Sequence, residues 1–323
     1  MICIFTFQAS WCILELLHLK AMNAAGLRAL DHYGGRQMKN MLLTLLAAAA
    51  LTIPHANAQA FDSRVEASYE SGSSGEGSWE MGKWDSYFFS YTRFFRPLGA
   101  GEGPYGEREF LERPPYIGLS VEAVQSEGYR DQYNIAPASV TLNKHEARVY
   151  TLSGMSYLGY LRRTGLGLRI ELREDETKGS APDKVSERAF ALRVHQYLTE
   201  KLRVGFDYEK RDSDASWARR LNIYRADAVA LIEEYRFEGW YRNLDEDLEA
   251  LGLGVGGYPF RELGVFATYE TIYGKYDFST TLTLRGEYYV NEATCVTMQY
   301  EWIEEDSGYG RSDAVMLRLS RLL

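Results

Sequence analysis

Charged side chains recur at every second position in several stretches of this sequence, a spacing suited to a polar wall rather than to a single reactive centre. Arg64, Arg169, Arg173, Arg203, Arg211 and Arg285 stand against Asp62, Glu66, Glu171, Asp207, Glu209, Glu270, Glu287 and Glu301. Facing charges of opposite sign across a narrow bore create a transverse field and set ion preference. The plainer alternative is that these groups only hydrate or cross-link an interior. Both readings are open at this level.

Other chemistries have thinner support. Beyond residue 58 only His145 and His195 remain as histidines, and Cys295 as a cysteine. A zinc site or a catalytic triad needs several converging groups, and no serine or aspartate is tied by spacing to either histidine. His195 falls in phase with Arg193 and Tyr197, as a polar lining residue would. Gly101–Gly106 and Gly252–Gly257 both match G-x-G-x-x-G. A dinucleotide fingerprint needs a strand before it and a helix after it. Tyr258-Pro259 follows the second match, and Pro104 interrupts the first. Gly252, Gly254 and Gly256 instead have the spacing of small residues on one side of a crowded strand. No cofactor or metal is implied.

The elements that would position the charges are strands. Leu166, Leu168, Ile170 and Leu172 alternate with Gly167, Arg169, Glu171 and Arg173. Leu202, Val204, Phe206 and Tyr208 alternate with Arg203, Gly205, Asp207 and Glu209, and Val296, Met298, Tyr300 and Trp302 with Cys295, Thr297, Gln299 and Glu301. Strict alternation means one face in an apolar medium and the other in a polar one. Similar segments fall near 61–71, 84–96, 115–126, 146–160, 187–198, 219–237, 248–257, 263–273, 276–289 and 312–323, which makes 13. Single-chain barrels of bacteria use even numbers, so the count is off by at least one, and at 128–145 or 219–247 either a strand is hidden or a long one should be divided. The expected count is about 14, within 12–16. A soluble sandwich would also alternate, but its core could not carry so densely charged a second face.

Links at Arg162–Gly165, Thr199–Lys201, Pro259–Glu262 and Asn291–Ala293 are short. Those expected at 174–186, 212–218 and 304–311 are longer and charged. Short turns at one end and long loops at the other are the asymmetry of a transmembrane barrel.

Composition agrees. Tyrosine, with 24 copies in 323 residues, suits both pleated surfaces and membrane interfaces. A net charge of −9 disfavours a nucleic-acid partner. Residues 38–58, MKNMLLTLLAAAALTIPHANA, have the basic start, apolar stretch and Ala56-Asn57-Ala58 ending of a cleavable export signal. Residues 1–37 fit poorly ahead of it and read as an over-extended gene start. Gln59–Leu323 reads as one domain whose lone Cys295 cannot make an internal bridge.

Phe88–Leu119, FFSYTRFFRPLGAGEGPYGEREFLERPPYIGL, carries Tyr91, Phe94, Phe95, Pro97, Gly103, Pro104, Glu109, Phe110 and Leu111. In these features it resembles the N-terminal stretch of the general bacterial porin family. The resemblance implies an outer-membrane barrel channel for small solutes. One departure is the C-terminus, Leu319-Ser320-Arg321-Leu322-Leu323, which lacks the usual terminal aromatic residue.

The expected fold is therefore all-β, a transmembrane antiparallel β-barrel of the outer membrane. Passive diffusion of small hydrophilic solutes or ions is its expected function, and an enzyme is not expected. A closed structural or adhesive barrel is the first alternative, and a barrel enzyme acting on lipid or peptide the second. The partners implied are outer-membrane lipids, small hydrophilic solutes and the barrel-assembly machinery, with a homo-oligomer left open. Between Pro97 and Pro114 the chain is too long for a tight turn and joins Phe110 and Leu111 to Glu107, Arg108 and Glu109. The segment is expected to fold inward as a constriction, its charges facing lumen arginines.

Overall fold

In a medium that offers no hydrogen bonds, extended chain survives only when every strand edge is paired, which requires a closed sheet. The computed structural model describes residues 60–76, 79–99, 104–130, 141–158, 163–178, 183–214, 221–245, 248–274, 278–305 and 310–323. The expected export signal at 38–58 and the stretch 1–37 lie outside them.

The strands are β1 (Ala60–Glu76), β2 (Trp79–Gly99), β3 (Tyr116–Arg130), β4 (Thr141–Leu158), β5 (Thr164–Lys178), β6 (Asp183–Tyr197) and β7 (Leu202–Ser213). They continue as β8 (Leu221–Ile232), β9 (Tyr235–Asp245), β10 (Leu248–Phe260), β11 (Leu263–Gly274), β12 (Phe278–Asn291), β13 (Thr294–Glu305) and β14 (Gly310–Leu322). Each pairs antiparallel with its sequence neighbour, and β14 returns to β1 to close a barrel of 14 strands. At the seam Arg64 stands opposite Leu322, and the Leu323 carbonyl accepts the Asp62 N–H at 2.9 Å.

The faces follow the alternation. On β5 Leu166, Leu168, Ile170 and Leu172 are 39–47% exposed, while Arg169, Glu171 and Arg173 on the other face are half-buried. Exposed apolar residues of this kind circle the barrel, from Phe89 and Leu119 to Met298 and Leu317. So large an apolar belt would be unfavourable in water and is what lipid requires. Tyrosines flank it in pairs, such as Tyr69 and Tyr87 with rings 5.3 Å apart, suited to the interface.

One expectation is resolved and another needs correction. Of the two places where a strand could be hidden or divided, the segment 219–237 is the one divided: β8 ends at Ile232, Glu233 and Glu234 make the turn, and β9 begins at Tyr235. This hairpin supplies the missing strand. The expected loops at 174–186 and 304–311 are strand at both ends, because β5 runs to Lys178, β6 starts at Asp183, β13 runs to Glu305 and β14 starts at Gly310; 179–182 and 306–309 lie outside the described residues. A membrane-spanning strand needs only about 9–11 residues, so the charged ends of these longer strands stand beyond the apolar belt.

The short-turn end is tied together by backbone. Tyr197 N–H donates to Arg163, Leu231 to Lys201, Tyr258 to Glu234, Tyr289 to Glu262 and Leu322 to Ala293, at 2.7–3.0 Å. The segment joining β2 to β3 starts from this same end.

Candidate functional site: the barrel interior and its inserted segment

The segment turns inward because its sequence cannot continue a strand. Pro104 opens a 3-10 turn, Tyr105–Glu107, which leads into a short helix, α1 (Arg108–Glu112). Arg113 ends it in the left-handed region, φ 52°, its N–H donating to the Glu109 carbonyl at 3.1 Å. Gly106 is needed where the turn passes β10, since a Cβ there would overlap the Tyr258 hydroxyl. Phe110 is buried with Tyr197 of β6 and Val229 and Leu231 of β8, with Leu111 and Tyr157 packed alongside. Its ring meets that of Tyr197 edge-on, centroids 5.4 Å apart. The segment thus crosses the interior to the far wall.

Charges fix it in place. Glu107 accepts from Arg236 of β9, at 3.2 Å, and Glu109 pairs with Arg64 of β1. Arg108 reaches Glu292 in the β12–β13 turn at 3.4 Å and lies 4.6 Å from the Tyr105 ring centroid. Arg113 donates to the Glu200 carbonyl at 3.0 Å and stacks 3.8 Å from the Tyr197 ring centroid. Burial pushes the Glu107 carboxyl above the ordinary carboxylate range, with the Arg236 guanidinium pulling the other way. Glu107 and Glu109 therefore face lumen arginines, whereas Arg108 faces a glutamate.

The wall residues singled out from sequence lie on the interior face, in ion-paired ladders. Arg169 reaches across β6 to Glu209; Arg211 contacts Glu209 at 2.8 Å and both Glu171 and Glu187 at 3.7 Å. Arg173 pairs with Asp175 at 2.8 Å, Arg203 with Asp227, and Asp207 with Arg193 at 2.7 Å. Arg285 and Glu287 pair at 3.2 Å, Glu270 takes Arg242 and the Trp240 N–H, and Glu66 lies 3.4 Å from Arg64. Glu301 shares this face, set between Thr283 and Ala314. Asp62 does not. A register shift between Phe61 and Ser63 places it beside the outer Arg93, 2.8 Å away, and turns Phe61 inward onto Phe94 and Leu98.

Several interior residues had escaped notice. Arg225 and Asp227 of β8 and Arg236, Glu238, Trp240 and Arg242 of β9 join the lining. Reading 219–237 as one strand hid them, because the inward phase passes from odd to even positions at the Glu233–Glu234 turn. Arg225 lies 5.9 Å from the Trp240 ring centroid. Gly252, Gly254 and Gly256 sit on β10 where any Cβ would strike Trp240, Glu238 or Phe266, so this glycine run serves packing, as Gly106 does; Gly101 and Gly103 lie outside the described residues.

The structure does bring a carboxylate and a hydroxyl to His145: Asp175 and Thr177 of β5 lie 3.3 Å from its two ring nitrogens. Asp175 is also held by Arg173, and all three groups are rungs of one β4–β5 ladder. Among the described residues no group of histidine, cysteine or carboxylate side chains could hold a metal.

A cavity of about 370 Å3 lies against the inserted segment on the side of Arg64, Arg193 and Arg318, and a second of about 410 Å3 beside Pro104, Leu111, Glu234 and Arg261. Glu107 lines the second and its partner Arg236 the first. No protein-family model matches the sequence, and no curated protein matches it. The toluene transporter TodX of P. putida superposes over 86% of this chain and 92% of its own, at 8% identity and a TM-score of 0.54. The monoaromatic hydrocarbon channel CymD covers 81% and 89%, at 9% identity and a TM-score of 0.56.

The fold is one that outer-membrane channels use.

At these identities the likeness reaches the barrel architecture and no further. The outer membrane protein Omp33 of Acinetobacter baumannii aligns over 82% of this chain and 99% of its own, at 14% identity and a TM-score of 0.49.

Proposed function

We propose that this chain is an outer-membrane channel for passive diffusion of small hydrophilic solutes or ions, of the general bacterial porin kind. The observation that carries this is an interior lined by ion pairs around a cavity of about 370 Å3, in place of an interdigitated apolar core. TodX and CymD are named for toluene and for monoaromatic hydrocarbons; the charge density of the present lining favours hydrophilic solutes. The export signal expected at 38–58 from its sequence agrees with this location, and a mature N-terminus at Gln59 is the expected product of N-terminal sequencing.

Arg64, Arg169, Glu171, Arg173, Arg203, Asp207, Glu209, Arg211, Glu270, Arg285, Glu287 and Glu301 are the pore lining in this reading, and Glu107, Arg108 and Glu109 the constriction. The buried attachments of the inserted segment favour a second reading, a closed structural barrel. Conductance in a planar bilayer separates the two. Steady openings of the intact protein, enlarged when Gly99–Arg113 is replaced by a short glycine linker, are expected. Openings in the deletion protein alone would make the barrel a closed one, and silence from both, correctly folded, would end the channel reading.

A further inference from the structure

The cavity against α1 has a lopsided hydrogen-bonding inventory. Arg64, Arg108, Arg193, Arg203, Arg236 and Arg318 line it, against only three carboxylates, Glu66, Glu109 and Glu287. Much of the arginine charge is balanced from behind the lining by Asp207, Asp227, Glu107, Glu238 and Glu292. Donors are in excess all the same. The Nε atoms of Arg108, Arg203, Arg236 and Arg318 are buried without an acceptor, while among the described lining residues no oxygen is buried without a donor.

Two residues sharpen this. Arg318 of β14 makes no ion pair among the described residues, the Glu70 carboxylate of β1 acting on it only from a distance. Its guanidinium touches only the Met316 sulfur, at 3.6 Å, and the face of Phe88, 5.9 Å from the ring centroid. His195 of β6 lines the same cavity at 5% exposure, its Nδ1 unpartnered. Buried donors without acceptors cost free energy, and a carboxylate brings two oxygens with about four acceptor positions. Six aromatic residues, Tyr105, Tyr116, Tyr157, Tyr197, Tyr289 and Phe110, share the remaining lining with small polar and aliphatic side chains such as Thr297, Ser320, Met155 and Leu98. Flat rings of this kind cover an aromatic ligand by stacking or edge contact.

We propose that this cavity is a binding site for a small aromatic carboxylate, its carboxylate held by arginine donors of the lining, Arg318 among them, and its ring among the tyrosines. A volume of about 370 Å3 is at the low end of the roughly 300–1,000 Å3 of small-molecule sites. The proposal deepens the channel reading, naming a class of solute that pauses above the constriction, and rests on that reading for its meaning. Its test does not depend on conduction.

Titration calorimetry of the full mature protein in detergent would compare benzoate with benzyl alcohol and benzylamine. Benzoate is expected to bind at least about tenfold more tightly than either. Arg318→Gln and His195→Gln are each expected to weaken it several-fold, and Arg188→Gln, on the exposed outer face of β6, to leave it unchanged. Heat-dependent gel mobility checks that each variant folds; should R318Q fail to fold, H195Q and the analogue series decide alone. Equal binding of benzylamine, no benzoate binding at millimolar concentration, or full affinity in every folded cavity variant would overturn the site. Benzoate binding without conductance would overturn the channel and keep the site; conductance without binding would do the reverse.

Discussion

Arg236 of β9 donates to both carboxylate oxygens of Glu107, at 3.3 and 3.2 Å, and so fastens the inserted segment to the wall opposite its own strands. The Glu107 side chain is 3% exposed and that of Arg236 24%, and Glu238 lies 3.4 Å from the same guanidinium. The two ends of this bridge are therefore not equivalent.

Removing the arginine leaves a buried carboxylate without its cation, a loss of up to about 3–5 kcal/mol. Removing the carboxylate leaves Arg236 with Glu238. Arg236→Met is expected to unseat the segment and raise single-channel conductance well above that of Glu107→Gln. Trypsin should then cut after Arg108 in R236M and spare it in the parent; the Arg113–Pro114 bond resists trypsin in both. Identical conductance and protection in both variants would remove this contact from the constriction.

The same carboxyl predicts how the segment responds to pH. Burial raises the Glu107 pKa above its unfolded value despite Arg236. For an acid shifted upward, the stabilisation is fully present below the unfolded pKa, about 4.3, and fades as pH rises through the higher folded value. Acid should thus hold the segment in place rather than release it. Bilayer recordings from pH 7 down to pH 4 are expected to show no Glu107-dependent enlargement; an enlargement abolished by E107Q would contradict this.

Leu168, Phe206 and Met298 are 42%, 48% and 61% exposed on the outer face. Replacing any of them with arginine is expected to cost about 2–4 kcal/mol near the midplane. Gln299→Arg, on the interior face of β13, carries no lipid penalty. Gly205→Ala should be costly for a different reason, since its Cβ would collide with Asp227 and lie 2.9 Å from the His195 ring. Urea-dependent refolding into vesicles measures all of these, and equal losses at positions 298 and 299 would reverse the assigned faces.

Glu233 holds φ 56° in the β8–β9 turn, where an L-residue loses roughly 1–2 kcal/mol against its ordinary conformations. Glycine has no such penalty but a larger entropy loss on folding. Glu233→Gly is expected to stabilise the barrel by up to about 1 kcal/mol in the same assay. A clear loss of stability would show the side chain to be contributing more than its backbone costs.

Alternation alone determined the barrel. A strand between lipid and a wet interior must place Leu168 outward and Arg169 inward, so period two is written directly into residue type. The inward segment was also legible, because Phe110 and Leu111 among Glu107, Arg108 and Glu109 need both an apolar and a charged surface. The place of the β8–β9 division within 219–247 was not. Leu231-Ile232-Glu233-Glu234-Tyr235 holds no glycine, proline, asparagine or aspartate, and its turn rests on a strained glutamate that the closing sheet enforces. Charged stretches such as Glu174–Lys178 read as loop because polarity no longer reports conformation once a strand leaves the apolar belt. Ion-pair partners were beyond reach for a further reason. Arg169 finds Glu209 two strands away, and Glu107 finds Arg236, 129 positions along the chain. Such pairs are set by register, barrel closure and the path of the inserted segment, which belong to the tertiary structure alone.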